Sequence, residues 1–174
     1  GNSAPYLQYA YARIRRVADK YRELYPAGDL AAHPLRLHEP VERALAPLYP
    51  QVERYEVVPD DPEANSDRLA RWADELKLDL IVTTGGTGLS PRDFTPEATL
   101  KVVERLAPGL VEAMRAAGRA STPHAMLSRA VAGTRGRSLI INLPGNPRAV
   151  TEGLEAIMPA LPHAIEVLRG EARE

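Results

Sequence analysis

The chain has 174 residues, of which 44% are hydrophobic, and a formal net charge of −1 at pH 7. This length suits one globular domain with a sizeable core, and the near-neutral charge disfavours a general nucleic-acid or membrane surface. The absence of cysteine excludes disulfides, a thiol nucleophile and cysteine-ligated metal clusters. No apolar run approaches the ~20 residues of a membrane span, and the first residues lack the pattern of a signal peptide, so we expect a cytoplasmic protein.

Residues 1–28 predict an amphipathic helix. Pro5 can open a helix, and apolar side chains recur at helical spacing from Leu7 to Tyr25, before Pro26 ends the pattern. Docking through a Tyr and Leu stripe is the simpler role, and a basic, aromatic-interleaved helix that contacts RNA is the alternative. We therefore distinguish an atypical amino-terminal helix, 1–28, from an α/β domain, 29–174.

Helices and strands are predicted in alternation from residue 40 onward. The helices fall at 40–48, 62–77, 96–106, 110–117, 148–158 and 162–169, and the strands at 52–58, 80–84 and 138–143. The last two strands are apolar runs rich in β-branched residues, which is typical of buried parallel strands. Strand–helix units in succession predict a three-layer, doubly wound, mainly parallel α/β sheet.

A loop with almost no side-chain bulk follows the strand at 80–84. Its residues are Thr84, Gly85, Gly86, Thr87 and Gly88. The loop lacks the lysine of a Walker-type motif, and Pro91 stands where a dinucleotide fingerprint has its third glycine. A tight structural turn is one interpretation. Arg92 and Asp93 favour an anion site instead, because a cation suits a phosphate and a carboxylate suits a metal ion.

Further candidates lie where other predicted elements begin or end. Thr95 is the expected N-cap of the helix at 96–106. A second loop of small residues, 144–147, follows the strand at 138–143 and can also offer backbone N–H groups to an anion. Asp60 follows the strand at 52–58 and is either a catalytic carboxylate or a helix cap, a role that Asp61 can take. We expect the two loops to converge on one crevice.

These motifs resemble those of the molybdopterin-binding domains of the molybdenum-cofactor pathway. The resemblance begins with Thr83-Thr-Gly-Gly-Thr-Gly88 and Arg92-Asp-x-Thr-Pro-Glu-Ala98. It continues in the same order with Thr122-Pro123, Leu127-Ser-Arg129 and Leu143-Pro-Gly-Asn-Pro147, and covers about residues 42–169. Leu127-Ser-Arg129 and Leu161-Pro-His-Ala164 are most similar to the stand-alone molybdopterin adenylyltransferases.

The resemblance implies adenylyl transfer from ATP to molybdopterin by a homotrimer that uses Mg²⁺. It implies that Asp60 and Asp93 are catalytic and coordinate Mg²⁺, since Asp60 matches a carboxylate implicated in catalysis in these enzymes. The expected substrate-binding residues are Thr84, Gly85, Gly86, Thr87, Gly88, Arg92, Thr95, Ser128, Pro144, Gly145, Asn146 and Pro147. No metal is assigned to the histidines, because none has a partner at metal-ligand spacing.

The amino terminus departs from the family pattern. Family members usually begin with an apolar strand that lies inside the sheet, and we find no such strand before residue 50, so the helix predicted for 1–28 would replace it. Residues 1–16 resemble a short stretch of arginyl-tRNA synthetases, but the nucleotide-binding motifs of those enzymes are absent. The alternatives to an active enzyme are a non-catalytic pterin-binding module, an inactive fusion or designed variant, and an RNA-contacting protein.

Overall fold

The computed structural model describes residues 7–12, 52–58 and 61–172. The strands are β1 Leu7–Ala12, β2 Val52–Val58, β3 Leu80–Thr84, β4 Arg105–Leu106, β5 Ala132–Arg135 and β6 Ser138–Leu143. The helices are α1 Pro62–Asp74, α2 Thr95–Val102, α3 Pro108–Arg119, α4 Pro147–Ile157 and α5 Leu161–Arg169, with 3₁₀ turns at Pro123–Leu127 and Met158–Ala160. No helix in these ranges is long and apolar enough to cross a bilayer.

The strands form one sheet in the order β2-β1-β3-β6-β5-β4. At its centre β3 and β6 pair in parallel, with Leu80 opposite Leu139. The pairings of β1 with both neighbours and of β5 with both neighbours are antiparallel. As a result β2, β3, β6 and β4 all run in one direction, while β1 and β5 run against them. The prediction of an α/β sheet with a parallel core is confirmed.

Helices cover both faces of the sheet, because alternate side chains of β3 and β6 point to opposite sides. Leu80, Val82 and Ile141 belong to one apolar cluster with residues of α3, α4 and α5. Ile81 and Ile140 belong to a second cluster with Leu69 and Trp72 of α1. These side chains are almost completely buried. The predicted three layers are therefore present, and Trp72 is a core residue.

The helix predicted for the amino terminus is wrong for residues 7–12. These residues form β1, which lies inside the sheet between β2 and β3, with Tyr9 opposite Glu56 on one side and Thr83 on the other. An interior strand therefore precedes residue 50, although it runs antiparallel to both neighbours. Tertiary pairing overrode a periodicity that also fitted a helix. The helix predictions for 13–25 and 40–48 lie outside the described residues.

The helix predicted for 96–106 is four residues too long. Helix α2 ends at Val102, and the next residues turn into the edge strand β4, where the Glu104 and Ala107 N–H groups donate to carbonyls of β5 over 2.8 Å. Neither β4 nor β5 was predicted, since both are short and β5 contains Gly133. The N-cap of α2 is Phe94 rather than Thr95. By contrast, Asp61 caps α1, as predicted, by accepting from the Ala64 N–H at 2.7 Å.

The tight packing between β4 and β5 predicts a large difference between two glycine substitutions. A Cβ at Gly133 would lie 2.7 Å from the Arg105 carbonyl oxygen and 2.9 Å from the Val103 Cβ, so the backbone would have to move. Gly133→Ala is expected to lower the free energy of unfolding by about 1–3 kcal/mol. Gly109→Ala, in open space within α3, should leave it unchanged or raise it by up to ~1 kcal/mol. Urea unfolding measures both, and equal midpoints would contradict the prediction.

Candidate active site

A cleft of about 610 Å³ opens at the sheet edge where β3 and β6 end. This volume falls in the usual range for small-molecule sites. The predicted residues that line the cleft are Gly86, Thr87, Gly88, Asp93, Ser128, Pro144, Gly145 and Asn146. The two small-residue loops, which lie almost 60 residues apart in the chain, therefore meet in one place, as expected for the carboxyl ends of neighbouring parallel strands.

The two loops touch through their backbones. Gly85 and Gly86 have φ angles of +89° and +62°. Residues other than glycine rarely adopt this region of backbone conformation. A Cβ at Gly145 would lie 3.2 Å from the Gly85 Cα. Glycine therefore suits the backbone conformation of the first loop and the close approach of the second.

The first loop is held by its carbonyl oxygens. The Thr95 hydroxyl and N–H donate to the first two carbonyls of residues 85–88, over 2.9 and 3.2 Å. The Arg129 N–H and Nε donate to the last two, over 2.8 and 2.7 Å. Because the N–H and C=O of a trans peptide point in opposite directions, the amides that follow point away from these donors. This orientation leaves the side of the loop away from Thr95 and Arg129 as the one where N–H groups could donate to an anionic ligand.

Asp93 projects from the turn that follows the glycine loop and lines the cleft. Its Oδ2 accepts from the Ser90 N–H at 2.9 Å, which fixes the carboxylate. A Cβ at Gly88 would lie 2.9 Å from the same oxygen, so Gly88 leaves the space that the carboxylate occupies. Asp93 was predicted at the site from its place in the sequence, and the geometry shows that a side chain at Gly88 would displace the carboxylate from this position.

Arg129 connects the three segments around Asp93. Besides the Gly88 carbonyl, its guanidinium donates to the Asp93 carbonyl over 2.5 Å and to the Glu97 carboxylate in α2. Its neighbour Ser128 lines the cleft, and the Ser128 carbonyl accepts from Arg115 over 3.2 Å. Arg129 thereby fixes the glycine loop, the Asp93 turn and the Ser128 segment relative to one another.

A buried network of hydrogen-bonded side chains holds the strand ends that lead into the cleft. The Asn142 Nδ2 in β6 donates to the Thr83 and Thr99 hydroxyls over 2.9 and 2.8 Å. Its Oδ1 accepts from the Val131 N–H at 3.0 Å. Asn142, Thr83 and Thr99 are completely buried, so these bonds replace the water that the side chains lose on folding. The network fixes the ends of β3 and β6 against α2.

Another wall of the cleft carries three polar side chains, Ser121, Arg148 and Glu152, which we call the Arg148 cluster. The Glu152 carboxylate accepts from the Ser121 hydroxyl at 2.6 Å and from the Arg148 Nε at 2.8 Å. The Arg148 Nη2 donates to the Ser121 hydroxyl at 3.1 Å. These hydrogen bonds hold the pKa of Glu152 below its ordinary value, with the Ser121 bond the larger cause.

The Arg148 cluster was not predicted from the sequence. One signal was available, because Arg148 and Glu152 are four residues apart at the start of a predicted helix that follows the second loop. Ser121 gave no signal, since only the packing of α3 against α4 brings it to them.

The remaining predicted site residues lie elsewhere. Thr84 is buried at the end of β3, and Thr95 is buried in the first turn of α2. Gly85, Arg92 and Pro147 adjoin lining residues but do not themselves line the cleft, and Arg92 is exposed. Asp60 lies outside the described residues, and its predicted role stays a prediction.

The donor set can be compared with the needs of Mg²⁺. Within the ranges that the structure describes, no three His, Asp or Glu side chains come close enough to form a complete metal site. Mg²⁺ in phosphate chemistry is commonly bound by only one or two carboxylates, together with water and substrate phosphates. The Asp93 carboxylate, which lies beside a loop suited to phosphate, is compatible with that arrangement.

The ion pair between Glu97 and Arg129 predicts a pH-dependent contribution to stability. The hydrogen bond from Arg129 holds the pKa of Glu97 below its ordinary value. A carboxyl group with a lowered folded-state pKa stabilises the protein above its unfolded pKa of about 4.3, and this stability is lost as the pH falls through the folded pKa. Because the pair is partly exposed, Glu97→Gln should cost no more than ~1 kcal/mol at pH 7.

Thermal melts of Glu97→Gln and the parent at pH 7 and pH 3.5 would measure this contribution. The difference in Tm should shrink at the lower pH. Glu112→Gln, at an exposed position in α3, is the matched control and should change Tm little at either pH. A Glu97→Gln deficit that is the same at both pH values would contradict the prediction.

The part of the chain that forms this cleft matches the model of a known protein family. Residues 41–163 match the model of the probable molybdopterin binding domain. Two molybdopterin adenylyltransferases of Helicobacter pylori, from strains J99 and 26695, are 46% and 47% identical over 123 and 116 residues. The matches cover 71% and 67% of this chain and 70% and 66% of those enzymes.

Solved structures are similar over the same region. The crystal structure of the molybdopterin biosynthesis enzyme MoaB from Thermus thermophilus superposes with a TM-score of 0.62 and is 54% identical. The superposition covers 67% of this chain and 74% of that one. All residues that line the cleft fall within the matched family segment, 41–163.

Proposed function

Because this chain belongs to the molybdopterin-binding domain family, we propose that it transfers an adenylyl group from ATP to molybdopterin. The observation that carries this proposal is the cleft itself. It combines a glycine loop whose N–H groups can bind an anion, a fixed carboxylate at Asp93 and a second small-residue loop at one sheet edge. Relatives at 46% and 47% identity are named for this activity.

In the proposed reaction a phosphate oxygen of molybdopterin attacks the α-phosphorus of ATP. A new P–O bond forms, the bond from the α-phosphorus to the bridging oxygen breaks, and pyrophosphate leaves with the electron pair. Little covalent chemistry is needed from the protein, so its contribution is positioning and charge stabilisation. The amides of residues 86–88 would bind phosphate oxygens, and Ser128, Gly145 and Asn146 would orient the rest of the ligands.

Two carboxylates are proposed to hold Mg²⁺. Asp93 lines the cleft, and Asp60 is assigned from its sequence position alone. When bound, Mg²⁺ would neutralise negative charge on the phosphates. The hydrogen bond from the Ser90 N–H to Asp93 would keep the carboxylate oriented before the ligands arrive.

An end-point assay with purified protein, molybdopterin, ATP and Mg²⁺ tests the proposal. Pyrophosphate and adenylylated pterin should appear together, and both should require molybdopterin. ATP consumption without adenylylated pterin, or no consumption from a protein with a cooperative melt, would contradict it. Saturable pterin binding without any product would favour the non-catalytic binding module. The expected homotrimer stays a prediction, which sedimentation would test.

A further inference from the structure

The cleft has a permanently charged cation that the sequence motifs did not indicate. Arg92 was expected to bind phosphate, but it does not line the cleft. Among the described lining residues, Arg148 alone carries a lysine or arginine side chain. A guanidinium suits a ligand with several negative charges, and Arg148 has the position in the cleft that was expected for Arg92.

The guanidinium of Arg148 is held by two hydrogen bonds and has further N–H groups that could donate to a ligand. Its side chain is 75% exposed, and its bonds to Glu152 and Ser121 involve Nε and Nη2. A guanidinium has five N–H donors in a planar fork, and a phosphate can accept two of them in parallel. Arg148 can therefore bind a phosphate while it keeps its hydrogen bond to Glu152 or Ser121. It can also give up both hydrogen bonds and bind the phosphate instead.

Glu152 holds the Arg148 guanidinium when no ligand is bound. Its side chain is 22% exposed, compared with 75% for Arg148, so the carboxylate is the more fixed member of the pair. Glu152 is ionised at neutral pH, and the hydrogen bonds from Ser121 and Arg148 lower its pKa further. An ionised Glu152 orients the guanidinium and, at the same time, competes with any anion for it.

We propose that Arg148 is the phosphate-binding cation of this cleft, oriented by Ser121 and held by Glu152 until a ligand phosphate replaces the carboxylate. The ligand class is an organic phosphate, either a monoester or the polyphosphate of a nucleotide. The proposal rests on the proposed function, because it assigns to Arg148 a phosphate group of one of the two substrates.

Calorimetric titration of the full chain with ATP, adenosine and molybdopterin tests the assignment. Arg148→Met should weaken binding of at least one phosphate-bearing ligand by about 10-fold to 100-fold, the usual range for one charge-assisted hydrogen-bonded contact. Adenosine, which has no phosphate, should bind both proteins equally. Loss for ATP alone identifies a polyphosphate contact, and loss for molybdopterin alone identifies a monoester contact. Arg137→Met, at an exposed position in the β5–β6 turn, is the matched control.

Removing the competing carboxylate should have the opposite effect. Glu152→Gln is expected to tighten binding of the same ligand severalfold, whereas Glu155→Gln, at an exposed position of the same helix, should change it little. The proposal is overturned if Arg148→Met binds both phosphate ligands like Arg137→Met, or if neither ligand binds the parent protein. Arg148-dependent binding without adenylylated pterin would refute the enzyme but keep the phosphate site. If the parent protein forms product and Arg148→Met binds both phosphate ligands as the parent does, the phosphate site is refuted and the enzyme assignment stands.

Discussion

Replacing Asp93 with asparagine is expected to reduce adenylyl transfer by about 100-fold or more, the usual scale for losing one electrostatic contact to a transition state. The substitution removes the negative charge that is proposed to hold Mg²⁺. It keeps an oxygen that can accept from the Ser90 N–H, so the turn should keep its conformation. The loss should therefore appear in kcat, and pterin binding and Tm should stay close to those of the parent.

Initial rates of pyrophosphate release, pterin titration and a thermal melt would measure these three quantities. Asp67→Asn makes the same chemical change at an exposed position in α1 and should have the activity of the parent. Full adenylylation by Asp93→Asn would show that the carboxylate is not needed and would remove the main site assignment.

The buried ion pair between Asp79 and Arg169 predicts the largest loss of stability. Asp79, just before β3, accepts from the Arg169 Nε at 2.8 Å and from a second guanidinium nitrogen. The two side chains are only 5% and 12% exposed. Arg169→Met would leave a buried carboxylate without its guanidinium, which costs about 3–5 kcal/mol in comparable proteins. The free energy of unfolding from urea titration should fall by that amount.

The exposed pair of Arg71 and Glu75 provides the matched control. Its side chains are 57% and 63% exposed, and such pairs contribute ~1 kcal/mol or less. Arg71→Met should therefore change the free energy of unfolding little. Similar losses for Arg71→Met and Arg169→Met would contradict the prediction, because they would show that the buried pair contributes no more to the free energy of unfolding than the exposed pair.

Local pattern was sufficient for much of the fold and for one half of the site. The apolar runs at 80–84 and 138–143 could only be buried strands, since they are too short for helices and rich in β-branched residues. The first run is followed by glycines and the second by proline and glycine, residues that end a strand and open a loop. Two such strands, parallel and adjacent, bring their loops to one edge. These features of the sequence predicted Gly86, Gly88, Asp93 and Gly145 in the cleft.

Long-range pairing decided what local pattern could not. Residues 7–12 fit a helical period as well as a strand, and only the hydrogen-bonding edges of β2 and β3 decide between them. Likewise β4 and β5 are too short to be recognised alone and exist because each completes the other's hydrogen bonds.

The sequence by itself determined the family, the parallel core and the glycine loop with its carboxylate, because these depend on neighbours in the chain. Tertiary structure alone decided which cation faces the cleft and how the loop is held. Arg92 follows the loop in sequence yet lies outside the lining, while Arg148 reaches the cleft from another helix. Arg129, about 40 residues from the loop, fixes its carbonyls. Such contacts follow from the packing of distant segments, which the order of residues does not reveal.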